Sequence, residues 1–299
     1  MKTYKTISKD SNGYLTVILT DSKKIKPFKL NYNIKKIIIP DYVDISDKYK
    51  FSNCKKLKSV VILDGNTCIK NNAFQNCHML KRVIISDTVT DIGEYAFSGC
   101  SSLEFIKLSN KITSINNGTF LNCYSLETII IPEGVIKIKD HAFKHCFDLN
   151  TIDLPESLQY IGMNAFSNCS SLQLIYIPDN VYHIGEYAFS DCKSLNDINL
   201  PIKMKAINFG LFKNCYSLTS IDMYKNIEII CAHAFDGSGL KSVYIPDSVT
   251  YIDSGAFKNC KSLEHVNKLS LNILSSDAFI GCTKLKDINI APNTIMTKL

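Results

Sequence analysis

The sequence predicts a repeat solenoid, in which short units stack and each unit contributes one short strand to a parallel sheet. The first observation is a phenylalanine that recurs every 23 residues, at positions 51, 74, 97, 120, 143, 166, 189, 212 and 235, with two steps of 22 to positions 257 and 279. The second is a cysteine that follows most of these phenylalanines by three residues. A fixed period of about 20 to 50 residues is typical of stacked units that share one continuous core.

Each unit begins with a short strand, for which the segment from Leu126 to Ile131 is representative. Leu126, Ile129 and Ile131 are spaced to face the core, and the β-branched content favours extended structure. Strands that recur once per unit and run in the same direction form a parallel sheet. Pro132 follows and ends the strand, because proline cannot donate to the ladder.

The remainder of the unit returns the chain to the next strand. Val135 and Ile138 are two apolar residues three positions apart, which predicts a short extended or 3₁₀ segment rather than a useful helix. The position after the isoleucine is Gly93 in one unit and Asn116 in the next, and both residue types tolerate a positive φ, which we predict there. The following Ala-Phe-x-x-Cys segment, such as that ending at Cys146, predicts one helical turn that packs the ring inward.

Ten of the twelve cysteines occupy one position of the repeat, and they are Cys54, Cys77, Cys100, Cys123, Cys146, Cys169, Cys192, Cys215, Cys260 and Cys282. Units stacked about 4.8 Å apart would place these thiols in a buried ladder with parallel Cβ vectors. Parallel vectors disfavour disulfides, and free cysteine packs as a small hydrophobe. We therefore predict reduced, buried thiols at this position, while Cys68 and Cys231 lie at other positions of the repeat.

The full pattern is Cys-x-x-Leu-x-x-Ile-x-Ile-Pro-x-x-Val-x-x-Ile-Gly-x-x-Ala-Phe, seen almost intact from Cys169 to Phe189. It resembles the BspA-like class of leucine-rich repeats, over about residues 36 to 292. The resemblance implies an α/β class: a right-handed leucine-rich-repeat solenoid curved as a horseshoe. Its parallel β-sheet would lie on the concave side, with short extended or 3₁₀ segments on the convex side.

The two ends of the chain differ from the repeat. Residues 1–35 do not fit it, although Tyr14 to Leu19 predicts a strand after a turn, and we assign this segment as an N-terminal cap. Residues 36–299 form the predicted solenoid of about eleven units of 22–23 residues. Leu285, Ile288 and Ile290 predict a last strand with no polar capping unit after it. Either the chain was cut there or another molecule covers that end, which allows self-association.

Composition excludes several classes of protein. The apolar content of 45% indicates a folded chain rather than a disordered one, and the net charge of +6 is modest. The lysine clusters of the first half predict a solvated face rather than a nucleic-acid site. The N-terminus shows no apolar segment of a secretory signal, and no apolar run approaches the roughly 18 residues that span a bilayer.

The sequence carries little that resembles a catalytic site. It has no glycine-rich phosphate loop, no Gly-x-Ser-x-Gly elbow and no Cys-x-x-Cys pair. His141, His145 and Cys146 have spacing that a zinc site can use, but Cys146 is a core position of the repeat. Other units carry charged residues at the two histidine positions, which indicates solvent exposure. We therefore predict no enzyme activity, no cofactor and no metal.

The candidate binding residues are the strand side chains that do not face the core. In each strand the two residues before the central isoleucine and the one after it point outward. The predicted site consists of Lys81, Arg82, Ile84, Phe105, Lys107, Ile130, Asp153, Leu174, Tyr176, Asp222 and Tyr244. Strands favour β-branched and aromatic residues even at exposed positions, so structure alone can explain some of them. Exposed apolar residues in line on a concave surface are nevertheless where repeat proteins usually bind.

We therefore expect a non-enzymatic protein that binds a protein or glycan ligand on its concave face, with no nucleic acid and no membrane span in this chain. The resemblance implies adhesion or host interaction at the cell surface or in secreted form, although no signal peptide is visible. The alternative is an intracellular, cytoplasmic scaffold, which the reduced cysteines favour. A third option is an assembly subunit that associates through the open C-terminal end.

Overall fold

The computed structural model of the protein describes residues 4–9, 11, 15–19, 34–41, 51–267, 269–286 and 288–297. The chain divides into two units, residues 1–157 (unit 1) and residues 158–299 (unit 2), and each is described by itself. Within the described residues the secondary structure consists of strands and turns, without a helix. None of these residues therefore belongs to a helix long and apolar enough to cross a membrane.

The described residues of unit 1 contain twelve strands. They are β1 (Tyr4–Lys9), β2 (Leu15–Leu19), β3 (Ile34–Ile39), β4 (Ser59–Ile62), β5 (Cys68–Ile69), β6 (Arg82–Ile85), β7 (Asp91–Ile92), β8 (Phe105–Lys107), β9 (Ser114–Ile115), β10 (Thr128–Ile130), β11 (Lys137–Ile138) and β12 (Thr151–Asp153). One sheet has the order β1-β2-β3-β4-β6-β8, and β10 pairs with β12. The return segments form the pairs β5–β7 and β9–β11. All of these pairings are parallel except β1–β2.

In the part of unit 2 that the structure describes there are eleven strands. They are β13 (Tyr160–Ile161), β14 (Leu174–Ile175), β15 (His183–Ile184), β16 (Asp197–Ile198), β17 (Ala206–Ile207), β18 (Ile229–Ile230), β19 (Ser242–Val243), β20 (Tyr251–Ile252), β21 (His265–Val266), β22 (Ile273–Ser275) and β23 (Ile295–Thr297). The pairs β13–β15, β14–β16 and β19–β21 and the run β17-β18-β20-β22-β23 are all parallel. The predicted stack of parallel strands is thus confirmed in each unit.

Of the strand predicted from Tyr14 to Leu19, residues 15–19 form β2, which pairs with β3, and Tyr14 lies outside the described residues. Because β1 and β2 continue the sheet beyond β3, they cover the edge of the first regular strand of unit 1. The assignment of residues 1–35 as a cap and of residues 36–299 as the solenoid remains a prediction. Part of the cap lies outside the described residues.

The return segments are extended, as in β7, so the first of the two predicted alternatives applies and the 3₁₀ alternative is not confirmed. The α/β class is likewise not confirmed, because the Ala-Phe segment is a chain of turns rather than a helical turn. In one repeat the amides of Ala96 and Cys100 donate to the carbonyls three residues earlier, at 3.2 and 3.1 Å. The amide of Phe97, which lies between them in sequence, donates to the Thr119 carbonyl of the next repeat at 3.0 Å. Each amide thus finds a partner without a helix.

The positive φ predicted after the isoleucine is wrong, because the left-handed residue lies two positions later. Tyr95, rather than Gly93, has a φ of 55°. Gly93 has a different reason to be glycine, since a Cβ there would lie 2.5 Å from the backbone nitrogen of Asn71. Asn116 occupies the same position in the next repeat, and its side-chain amide donates to the Ile92 carbonyl at 2.8 Å. Close packing and a hydrogen bond, not backbone conformation, select these residue types.

The core of each unit is a column of stacked phenylalanine rings. The centroid distances are 5.3, 5.4, 5.9 and 5.3 Å along residues 51, 74, 97, 120 and 143, and 5.4, 6.0, 5.5, 5.2 and 5.0 Å along residues 166, 189, 212, 235, 257 and 279. These separations are typical of offset stacked rings, which are more favourable than their buried area alone. The period of the sequence is thus the period of the ring column.

The cysteine column lies beside the rings, as predicted, and each described thiol is free. The thiol of a cysteine donates to the carbonyl of the phenylalanine in the preceding repeat. Cys123, for example, donates to Phe97 at 3.3 Å, and Cys192 donates to Phe166 at 3.2 Å. Burial raises the pKa of the Cys123 thiol well above its ordinary value, so the reactive thiolate is disfavoured. In one repeat Ser238 occupies the cysteine position, and it is also buried.

Candidate functional site

The outward side chains of the strands form one exposed face in each unit, which we call the strand face. In unit 1 it belongs to β3, β4, β6, β8, β10 and β12, and in unit 2 to β14, β16, β19, β21 and the residues at the equivalent repeat position around Asp222. All eleven predicted site residues are exposed, namely Lys81, Arg82, Ile84, Phe105, Lys107, Ile130 and Asp153 in unit 1 and Leu174, Tyr176, Asp222 and Tyr244 in unit 2. Their predicted outward orientation therefore holds, and their role in binding remains a prediction.

On β6 and β8 the predicted residues contact one another. Arg82 and Phe105 are paired in register, and the Arg82 guanidinium carbon lies 4.7 Å from the centroid of the Phe105 ring. Lys81 donates to Glu104 at 2.5 Å. The contact between Arg82 and Phe105 is a cation–π contact, which holds the ring at the surface, where Phe105 is 43% exposed.

The end of β8 is held by a charge pair. The Lys107 ammonium lies 3.7 Å from the Asp87 carboxylate. The backbone amide of Asn110 donates to Asp87 at 2.9 Å. This hydrogen bond, followed by the charges of Lys107 and Lys111, lowers the pKa of Asp87, so the carboxylate keeps its charge over a wider range of pH.

Two shallow grooves run along the carboxyl ends of the unit 1 strands. The first has a volume of about 490 Å³ and is lined by residues that include Val61, Leu63, Ile84 and Lys107. The second has a volume of about 530 Å³ and is lined by Asn110, residues 130–133 and residues 153–155. Ile130 is 76% exposed and pairs in register with Asp153. The second groove therefore places an apolar side chain beside a carboxylate.

The strand face of unit 2 is richer in aromatic residues. Tyr176 and Tyr244 are 58% and 65% exposed, and Asp222, which lies between them in sequence, is also exposed. Leu174 pairs in register with Asp197 on β16. This face thus offers tyrosine rings and hydroxyls together with carboxylates, which suits mixed apolar and polar contacts.

Sequence reasoning missed the role of two asparagines in the outward column of unit 2. The amide nitrogen of Ile177 donates to the Asn199 side-chain oxygen at 2.7 Å, and the Asn199 side-chain nitrogen donates to the Ile177 carbonyl at 2.8 Å. Asn267 makes the same pair of bonds to Ile245, at 2.7 and 2.9 Å. These side chains replace a stretch of strand pairing, so they hold the fold rather than a ligand. The signal was asparagine one residue after the central apolar residue of the strand.

The zinc alternative at His141, His145 and Cys146 has no geometric basis. Cys146 is buried and its thiol donates to the Phe120 carbonyl at 3.3 Å. The two histidines have positive φ values of 58° and 63° and lie in turns at the partly exposed surface. Within the described residues no group of three histidine, cysteine, aspartate or glutamate side chains could hold a metal ion. Partial burial lowers the pKa of His141, which favours its neutral form.

The repeat pattern of the chain matches a known family of repeat proteins. A family profile described as a BspA type leucine rich repeat region, in six copies, matches residues 24–150, 136–264 and 205–298. No curated protein sequence matches the chain.

Two solved structures illustrate the likeness in fold. A leucine-rich repeat protein from Bacteroides ovatus is 24% identical, and the match covers 100% of this chain and 99% of that one with a TM-score of 0.64. A leucine-rich repeat protein from Eubacterium ventriosum is 21% identical, and the match covers 93% of this chain and 92% of that one with a TM-score of 0.56. At these identities the likeness concerns the fold alone.

Proposed function

The chain belongs to the BspA-type leucine-rich repeat family, and we propose that it is a non-enzymatic binding protein whose protein ligand contacts the strand faces. The exposure of large apolar side chains on the strands carries this proposal. Ile130, Tyr176 and Tyr244 are each more than half exposed, although the residue directly before each of them is buried. Apolar area left in water gives no stabilisation, so these residues gain free energy only when a partner covers them.

The preference of strands for β-branched and aromatic residues is the competing explanation. It accounts for Ile130, but it does not account for Leu174, which is 56% exposed on a strand of two residues. It also does not explain why Phe105 is held by a cation–π contact instead of packing on the core. A surface prepared for contact explains all of them together.

The biological setting that we propose is adhesion or host interaction, with the protein at the cell surface or secreted. The family resemblance supports this setting. The alternative, a cytoplasmic scaffold, is supported by twelve free cysteines, because reducing compartments keep thiols free. Cell fractionation with an antibody, combined with a count of free thiols in the native protein, separates the two settings. A glycan ligand and self-association through the C-terminal end are further candidates.

The test measures binding of the labelled full chain to cultured epithelial cells. Phe105→Ser with Ile130→Ser changes the unit 1 face, and Tyr176→Ser with Tyr244→Ser changes the unit 2 face. We expect at least one pair to reduce binding about tenfold or more, since central apolar contacts dominate interfaces, with an unchanged circular dichroism spectrum. The matched controls are Ile136→Ser and Tyr182→Ser, which are exposed residues of the same types outside the strand faces.

Treatment of the cells identifies the class of ligand. Loss of binding after mild protease treatment supports a protein ligand, and loss after glycosidase treatment alone would replace it with a glycan. If both double variants bind as well as the unchanged chain, the strand faces are not the binding site.

A further inference from the structure

The strand face of unit 1 carries three parallel bands on β3, β4 and β6. The cationic band consists of Lys35, Lys36, Lys58, Lys81 and Arg82. The apolar band consists of Ile38, Val61 and Ile84, which are paired in register from strand to strand. The acidic band consists of Asp41, Asp64 and Asp87, which follow the strands at intervals of 23 residues and are all exposed. The bands run across the strands, along the direction in which the repeats stack.

The cationic band places like charges in neighbouring register positions. The amide of Lys58 donates to the Lys35 carbonyl at 2.7 Å, and the amide of Lys81 donates to the Lys58 carbonyl at 2.9 Å. The three side chains therefore leave adjacent strands that are about 4.8 Å apart. Like charges directly opposite each other in a sheet are destabilising. This column of like charges therefore destabilises unit 1. Residues that reduce stability are typical of functional sites, where activity and stability conflict.

The fold neutralises only part of this band. Lys81 has an ion pair with Glu104. Across the part of the chain that the structure describes, no carboxylate lies within ion-pair distance of Lys36 or Lys58. An external group with negative charge would therefore relieve the repulsion.

We infer that the three bands of unit 1 bind one amphipathic helix of a partner protein, which lies along the stacking direction. Its apolar ridge contacts the apolar band, an acidic flank contacts the cationic band and a basic flank contacts the acidic band. This inference rests on the proposed function, because it names the kind of protein segment that the unit 1 face accepts.

The spacing of the bands matches a helix better than an extended chain. One helical turn rises about 5.4 Å, close to the strand separation of about 4.8 Å, so the mismatch over two strand intervals is only about 1 Å. In an extended peptide the residues on one side repeat about every 6.6 Å, which fits the strand separation less well. The two outer bands lie three residues to either side of the apolar band, about 20 Å apart, so long charged side chains on both flanks of a helix of about 10 to 12 Å diameter can reach them.

The length of the site is also limited. On β8 the column of the cationic band holds Glu104, and the column of the apolar band holds Lys107, which pairs with Asp87. Both bands therefore end at β8. Three strands and their margins accommodate about three helical turns, or about eleven residues.

The acidic band argues against a nucleic acid or a sulfated polysaccharide as the partner. A polyanion wide enough to cover the apolar band as well as the cationic band would approach Asp64 and Asp87, and repulsion would oppose it. Asp87 stays ionised because the Asn110 amide and Lys107 lower its pKa. The groove between the outer bands, lined in part by Val61, Leu63 and Ile84, provides the apolar anchor that a helix ridge requires.

The test uses three fluorescein-labelled, stapled helical peptides with the same leucine ridge. The mixed peptide has glutamate on one flank and lysine on the other, the second has glutamate on both flanks, and the third has lysine on both. Fluorescence anisotropy with the full chain should show that the mixed peptide binds about tenfold more tightly than the all-lysine peptide, and more tightly than the all-glutamate peptide.

The Lys58→Glu variant then tests the band itself. It should weaken binding of the mixed peptide about tenfold and strengthen binding of the all-lysine peptide, while it raises the melting temperature because the like-charge contacts are relieved. Lys70→Glu is the matched control, since Lys70 is exposed on the unit 1 return segment, and it should leave both affinities unchanged.

Three results would overturn the inference: no binding of the mixed peptide, equal effects of Lys58→Glu and Lys70→Glu, or tighter binding of heparin or the all-glutamate peptide than of the mixed peptide. The last result would indicate a polyanion site. The proposed function is tested separately, because the Phe105 and Ile130 variant can lose cell binding even where Lys58→Glu retains it.

Discussion

The two sides of a single strand follow different rules in this protein. In β10, Ile129 is 4% exposed and the next residue, Ile130, is 76% exposed. The inner position is valine or isoleucine in every full strand of unit 1, as at Val60, Val83 and Ile106. The outer position changes from apolar to basic to acidic, and its residues are Val61, Ile84, Lys107, Ile130 and Asp153. Repetition thus marks residues that the stack requires, and variation marks residues that are available for recognition.

Two phenylalanines of consecutive repeats, eight residues apart in sequence, provide the strongest test of this comparison. Phe97 is buried between Phe74 and Phe120, at centroid distances of 5.4 and 5.9 Å, whereas Phe105 is exposed beside Arg82. We expect Phe97→Ala to lower the free energy of unfolding by about 3 to 5 kcal/mol, because it removes the ring and leaves a cavity. Phe105→Ala should lower it by about 1 kcal/mol or less, from loss of the cation–π contact.

Urea denaturation followed by circular dichroism measures both changes under the same conditions. A repeat stack can unfold in stages, so the two variants should be compared over the whole transition. Equal losses for Phe97→Ala and Phe105→Ala would show that the repeated column is not the main source of stability.

The sequence was sufficient for the part of the fold that depends on periodic burial. The phenylalanine and cysteine columns and the outward orientation of residues such as Phe105 and Tyr176 follow from spacing alone, because one strand per repeat leaves one arrangement of inner and outer sides. The sequence was insufficient where a residue is selected by a contact with the neighbouring repeat. Gly93 is small because the backbone of Asn71 is close, and Asn199 bonds the backbone of Ile177. Neither neighbour can be identified from local pattern.

The candidate site shows the same limit. The outward residues could be predicted individually, but the three bands appear only when registers are known. Asp41, Asp64 and Asp87 had a visible signal, since they recur at the repeat period just beyond the strands. They were not among the predicted site residues because they lie in the loops, and that prediction considered only residues of the strands. Charge at a repeated loop position is therefore worth the same attention as charge on the strands.

A contact between neighbouring repeats sharpens the comparison, with a smaller expected effect. Gly118 has a φ of 56°, and a Cβ there would collide with the ring of Tyr95 from the preceding repeat. We expect Gly118→Asn to lower the free energy of unfolding by about 1 to 3 kcal/mol, because the ring must move. Asparagine itself suits the backbone, since Asn72 and Asn164 occupy the same repeat position with φ values of 58° and 55°.

The double variant Tyr95→Asn with Gly118→Asn isolates this contact. Removal of the ring should restore most of the lost stability, so a double-mutant cycle measured by urea denaturation should give a coupling of about 0.5 to 3 kcal/mol. Additive losses would contradict the steric explanation and would attribute the effect of Gly118→Asn to backbone conformation alone.

The cysteine column gives the smallest expected effect and asks what the repeated position requires. Cys123 is buried, and its thiol donates to the Phe97 carbonyl at 3.3 Å. Cys123→Ala should lower the free energy of unfolding by about 1 to 2 kcal/mol, since it leaves a small void and a carbonyl with one fewer donor. Cys123→Ser keeps a donor, and Ser238 shows that a hydroxyl is accommodated at the same position with 2% exposure. We therefore expect the serine variant to lose less stability than the alanine variant in the same denaturation experiment. A larger loss for serine would mean that the column depends on the apolar character of sulfur rather than on its hydrogen bond.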